Sequence, residues 1–433
     1  ELAKVQGEKG VVVFADVEHV IMKSDRSLVE CFKMFDLIHV LTTDHETVSR
    51  ITKEVIEDFA SENIVYVELR TTPKRNEAKG MTKRSYMEAV IDGLRSVDTV
   101  DVSFIPSDFN REKSSKAFSN NDNGSTRRCI FVRLLLSIDR RESTAAAMDT
   151  VQLALELRTL GVVGIDLSGN PLVGNWDTFL QPLLFAKDEG LPVTLHCGEV
   201  RNRKEEVQAM LDFLPQRIGH AIFFEEQQWK QLKQSRIPVE ICLTSNILTE
   251  CVISINNHHF DDLYKSKHPI ALCTDDTGVF STSLSHEYRL AASAFGLSEM
   301  DLYELGKNSI EYVFADEAVK KCLREVFYAA KPKLMLQHCQ ERKLYQVKAQ
   351  CSKSIQPTMV ANRTARQQQQ EEMENMHNQL QELNAQTEQL QLEKWRTTIS
   401  RMVTRRPPST TSTTARYYQH DHCRVPPNQE SIP

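Results

Sequence analysis

The sequence predicts an α/β fold: a parallel (β/α)8 barrel that lacks its first strand and carries a helical and disordered C-terminal tail. Three observations carry this reading. Short β-branched runs alternate with longer helical stretches from about residue 11 to 330, the pattern of a parallel sheet covered on both faces. Seven such runs occur, awkward for a closed barrel but comfortable for an eight-stranded one that has lost a strand. Polar clusters end at least five of the seven, and strand C-termini are where a barrel's side chains converge. A doubly wound open sheet needs only one such crevice, so it is the weaker reading.

The strands expected are Ile64–Leu69, Ile130–Ile138, Val162–Leu167, Pro192–His196, Arg217–His220, Val239–Leu243 and Ile270–Thr274. Val11–Phe14 is the one further apolar run before them, and no polar motif ends it. Between the strands, Asp44–Ser61 places Val48, Ile51, Val55, Ile56 and Phe59 at helical spacing, and Ser143–Leu160 carries Ala147, Val151, Leu153, Ala154 and Leu157. Ser298-Glu-Met-Asp301 has the form of a capping box. Residues 97–129, with Ser119-Asn-Asn-Asp-Asn-Gly-Ser-Thr, read as a flexible surface insertion.

Residues 1–337 thus form one barrel domain. In 338–404 a Gln-rich stretch leads into Met373, Met376, Leu380, Leu383, Thr387 and Leu390, a short heptad run suited to a coiled coil. Segment 373–390 is therefore a candidate for self-association. Residues 405–433, rich in Pro and Thr, read as disordered. His420-Asp-His422-Cys423 within them is taken as an incidental grouping.

The chain has 433 residues, 40% of them hydrophobic, and a net charge of −6, which gives no reason to expect nucleic acid or an acidic membrane as partner. No apolar run approaches the roughly 20 residues of a membrane helix. Ten cysteines lie scattered without Cys-x-x-Cys spacing, and Cys129, Cys242 and Cys273 fall inside strand-like runs. Reduced, buried thiols and a cytosolic setting follow.

The chemistry sits at the strand ends. His196 and Glu199 are three positions apart across one of them, and the turn Cys197-Gly198 can bring both over the same mouth. His220 ends the next strand, and Asp275-Asp276 ends the last. Two adjacent carboxylates at the end of an apolar strand repel and lose hydration unless a cation or donor compensates. Each cluster alone has a structural explanation: a satisfied core histidine, a helix-start carboxylate, a turn. Together they supply the parts for attack by a metal-activated water on a carbon beside a ring nitrogen.

The order Asp166-Leu-Ser-Gly169, His196-Cys-Gly-Glu199, Ile218-Gly-His220 and Thr274-Asp275-Asp276 resembles the adenosine deaminase family of zinc-dependent TIM barrels, of the metal-dependent hydrolase type. Phe35-Asp-Leu-Ile-His39, Glu68-Leu-Arg-Thr-Thr-Pro73, Asp139-Arg-Arg, Cys242-Leu-Thr-Ser-Asn246 and Cys273-Thr-Asp-Asp-Thr-Gly-Val-Phe280 point to its adenosine deaminase-like branch. The resemblance spans about residues 15–330. It implies His196 and Asp275 as ligands of Zn2+, Glu199 as the acid at the purine ring nitrogen, and His220 as the group that orients and deprotonates the attacking water. It also implies that Asp276 and the Gly169 backbone hold the purine. His39, Thr71, Thr72, Lys74 and Asp139 would line the rest of a nucleotide site.

One departure stands out. The family supplies two zinc ligands from a His-x-His pair ending its first strand, and no such pair precedes Ile64 here. The expectation is an incomplete sequence, with that strand upstream, and weak zinc binding and impaired catalysis by the chain as written. The activity implied is hydrolysis of N6-methyl-AMP to IMP and methylamine, part of nucleotide metabolism, with a small-molecule purine nucleotide as partner. The alternatives are deamination of adenosine itself, and a catalytically dead barrel serving as a coiled-coil interaction protein. A cytidine-type deaminase is excluded, because no Pro-Cys-x-x-Cys site occurs.

Overall fold

The structure, a computed structural model, describes residues 2–331 apart from positions 9, 11, 22, 24, 25 and the segment 106–128. The heptad run, the His420-Asp-His422-Cys423 grouping, the 405–433 tail and most of the expected insertion lie outside the described residues. No described helix is long and apolar enough to cross a membrane.

Eight parallel strands form one curled sheet: β1 (Tyr66–Thr71), β2 (Asp101–Ser103), β3 (Cys129–Asp139), β4 (Val162–Ser168), β5 (Val193–Cys197), β6 (Arg217–His220), β7 (Val239–Ile241) and β8 (Ile270–Leu272). The path runs β1-β3-β4-β5-β6-β7-β8, with β2 added on β3. Its seven members are the seven strands expected. Among the described residues no strand joins the outer edges of β1 and β8, so the barrel wall is open at one seam. The expected parallel α/β barrel, open where one strand is lacking, is the observed architecture.

Two expectations need correction. The segment read wholly as a surface insertion begins inside the fold. Asp101–Ser103 pair with Cys129–Phe131, while Val100 and Phe104 are buried. Three residues are too few to show strand periodicity. Phe14, in the run that looked like a spare strand, instead starts the helix Phe14–Ile21.

Period-two alternation divides each strand between two environments. Val67, Leu69, Val132, Leu134, Ile165, Leu167, Val193, Leu195, Ile218, Val239 and Ile241 belong to the main apolar core with the helices. The alternate residues Glu68, Arg70, Asp166, Thr194, His196, Arg217 and Glu240 contact one another across the interior. The lower of two polar layers is a floor. Arg217 bridges Glu68 and Glu240 at 2.5 and 2.6 Å and donates to the Tyr312 carbonyl. Glu68 accepts from the Phe314 amide at 2.6 Å. A charge layer this deep is tolerable only because each carboxylate is paired and hydrogen-bonded.

The helices begin where their caps direct. Asp44 accepts from the Thr47 amide at 2.8 Å to start His45–Ser61. Ser298 and Asp301 close the expected capping box ahead of Glu299–Ser309. At the mouth, Ser27 and Glu30 cap helix Leu28–Leu41. Its Cys31 packs on Val279 and Phe280 beyond β8, which carries Phe35 and His39 to the rim of the cavity.

Candidate active site

β4 and β5 are in register with Asp166 beside Thr194, so Asp166 and His196 point into the same interior layer. The His196 ring donates from Nδ1 to Asp166 Oδ1 at 3.0 Å, which leaves Nε2 as the lone pair facing the mouth. Burial and the Arg70 guanidinium on Nε2 oppose a charged ring, Asp166 favours it, and the Arg70 contact belongs to the neutral form. The opposite side of the mouth is built by the turn after β8. Asp275 adopts a left-handed φ of 55° and its Oδ2 accepts from Ser245 Oγ at 2.9 Å.

His220 and Ala221 are also left-handed, at φ 63° and 52°. Non-glycine residues held there cost of order 1–3 kcal/mol each and mark sites where geometry is imposed. The strain turns the His220 ring beside His196, with centroids 5.1 Å apart. His220 Nε2 lies 3.6 Å from Glu199 Oε1 and 3.9 Å from Asp275 Oδ2. Glu199 reaches this point through Gly198, at φ 72°, where a Cβ would meet the Phe224 ring at 2.6 Å.

At the centre stands a residue that the sequence reading gave no role. Arg70 Nη1 is 2.5 Å from His196 Nε2. The same guanidinium lies 3.4 Å from Asp166, 3.3 Å from Asp275 and 3.6 Å from Asp276. Burial raises the Asp275 pKa, but His220, Arg70 and His196 outweigh it and hold the carboxyl down. Burial and the Asp275 charge push Asp276 up. The repulsion expected between the adjacent carboxylates is thus resolved by splitting their affinities for a proton.

A cavity of about 450 Å³ opens above this layer, and all eleven candidate residues line it. These are His39, Thr71, Thr72, Lys74, Asp139, Gly169, His196, Glu199, His220, Asp275 and Asp276. Gly169, at φ 96°, presents bare backbone. The outer rim sets two cations, Lys74 and Arg141, beside two carboxylates, Asp36 and Asp139. Lys74 Nζ donates to the His39 carbonyl at 3.2 Å and to Thr42 Oγ1 at 2.5 Å. Arg141, also without an expected role, reaches Asp139, Asp36 and His39. Burial pushes the Cys197 thiol beside His196 well up, so it offers no thiolate. The expected burial of the cysteines holds for Cys242, while Cys129 and Cys273 are half-buried.

His196, His220 and Asp275 bring their ligand atoms within 4.8 Å of one another. Imidazole nitrogen and carboxylate oxygen are a donor set for a divalent metal. The surrounding carboxylates require a cation, and here Arg70 supplies one.

A parallel barrel whose strand ends gather imidazoles and carboxylates on one cavity defines a hydrolase of the metal-dependent barrel class. Residues 12–330 match the adenosine deaminase family, and the chain belongs to it. It is 63% identical over 332 residues to the N6-mAMP deaminase of Arabidopsis thaliana, covering 77% of this chain and 92% of that one. It is 42% identical over 319 residues to the human N6-methyl-AMP deaminase, covering 72% and 82%. The crystal structure of Arabidopsis ADAL complexed with IMP superposes with a TM-score of 0.71 at 61% identity, over 77% and 92%. These likenesses place the chain in the adenosine deaminase-like branch.

Proposed function

We propose that this chain hydrolyses a purine nucleotide at C6, with N6-methyl-AMP and water giving IMP and methylamine. The observation that carries the reading is Glu199, His220, Asp275 and His196 converging beneath a cavity with Lys74 at its rim. Relatives bearing the N6-methyl-AMP deaminase name, at 63% and 42% identity, support it.

In this reading His196 Nε2 and Asp275 hold the metal, a zinc ion. When bound, that ion lowers the pKa of water and so supplies the nucleophile. Glu199 gives a proton to the purine ring nitrogen as oxygen adds to the adjacent carbon. His220 orients the attacking water. Asp276 and the Gly169 backbone hold the purine edge, while Lys74 meets the 5′-phosphate. His39, Thr71, Thr72 and Asp139 line the space between. Of the water's two protons, one returns to Glu199 and the other leaves with the amine, so the keto purine forms and the acid is regenerated. The reduced cysteines favour the cytosol, and residues 373–390 are the proposed self-association segment.

Turnover of N6-methyl-AMP, AMP and adenosine by the zinc-loaded full chain tests the reading. The expected order places N6-methyl-AMP first, with IMP as product. Preference for the nucleoside would assign adenosine instead, and no turnover of any would overturn the proposal.

A further inference from the structure

A hydrogen-bonded chain leads from the backbone behind the site to His220. The Phe260 amide donates to His258 Nδ1 at 3.1 Å. A ring whose Nδ1 accepts carries its hydrogen on Nε2, so His258 donates from Nε2 to Asn246 Oδ1, 3.1 Å away. The other end of that amide is then fixed as NH2, and Asn246 Nδ2 donates to His220 Nδ1 at 2.9 Å. One backbone donor thereby settles the polarity of three side chains. His258 and Asn246 are 2% and 1% exposed, so water does not compete for these bonds. His259 Nε2 lies 2.7 Å from the His220 carbonyl and secures its left-handed backbone.

We infer that Asn246 and His258 are positioning residues that hold His220 in the tautomer bearing its hydrogen on Nε2. That hydrogen points toward Glu199 Oε1 and Asp275 Oδ2. The two imidazoles of the site are thus opposites. Asp166 leaves His196 a lone pair on its inward nitrogen, whereas Asn246 leaves His220 an N–H there. His196 is fitted to ligate a cation. His220 enters as a hydrogen-bond donor rather than a ligand, and the orienting half of the role implied by the family resemblance is kept while its deprotonating half is replaced. The catalytic part of the inference rests on the deaminase reading; the tautomer does not.

The test is long-range 1H–15N NMR on the full chain labelled with 15N-histidine, with kinetics alongside. Wild-type His220 should show a protonated Nε2 and a bare Nδ1; the reverse pattern overturns the inference, whatever a variant does. In Asn246→Asp the carboxylate can only accept, so His220 should move its hydrogen to Nδ1. With it kcat should fall roughly 10²–10⁴-fold, the range for a misplaced catalytic proton, while KM stays within a few-fold. An unchanged tautomer in a folded Asn246→Asp protein also counts against the relay. If the wild type shows the Nε2–H form but turns over no purine, the deaminase reading fails and the tautomer assignment stands.

Discussion

Arg70 Nη1 sits 2.5 Å from the ring nitrogen of His196 that faces the cavity. A guanidinium can only donate, so this contact belongs to the neutral ring and occupies its lone pair. Arg70 and a metal ion therefore answer the same electrostatic demand. Arg70→Met should destabilise the metal-free protein by ~3–5 kcal/mol, the usual result of stranding buried carboxylates. Saturating zinc should restore much of the loss. Urea melts with chelator and with zinc give the comparison, and equal losses in both would mean the two cations do not compete.

Burial lowers the Lys74 pKa from 10.5 to about 8. Lys74 is charged below that value and loses its charge as pH rises through it. KM for a nucleotide should accordingly climb above about pH 8, whereas KM for the nucleoside should stay flat. Lys74→Met should remove the difference. The sign for stability is opposite: a buried cation with a depressed pKa penalises the fold below pH 8 and ceases to do so toward pH 10.5. Nucleotide and nucleoside profiles that run parallel would remove Lys74 from the phosphate end.

Gly198 holds Glu199 over the mouth at a φ of 72° against the Phe224 ring. Gly198→Ala adds both left-handed strain and a clash, and should destabilise by ~1–3 kcal/mol. Activity should fall further than stability, because the displaced carboxyl is the proposed acid. Thermal melting beside kcat separates the two effects.

Glu199→Gln keeps the shape and removes the transferable proton. A loss in kcat of roughly 10²–10⁴-fold is expected, with binding of IMP nearly unchanged by calorimetry. A variant retaining wild-type turnover would place the acid elsewhere.

Much of this was legible in the residues because strand-end clusters report position as well as chemistry. All seven expected strands are present, and the eleven candidate residues share one cavity. Arg70 escaped notice because its alternation with Val67 and Leu69 marks an inward side chain without saying what it meets. Asn246 and His258 lie twelve residues apart and are joined only by the fold. β2 was too short to announce itself inside a polar neighbourhood.

The barrel floor also sets a schedule for biosynthesis. Glu68 receives the Phe314 amide across 246 residues of chain. Ribosomes adding about 5–20 residues per second need roughly 10–50 s to traverse that span. For the first 149 residues of that span Glu68 waits without Arg217, and once Arg217 and Glu240 have emerged the ion-pair layer still lacks its seal. Chaperone dependence should therefore be greatest before residues 312–314 clear the exit tunnel, and should fall sharply once they do.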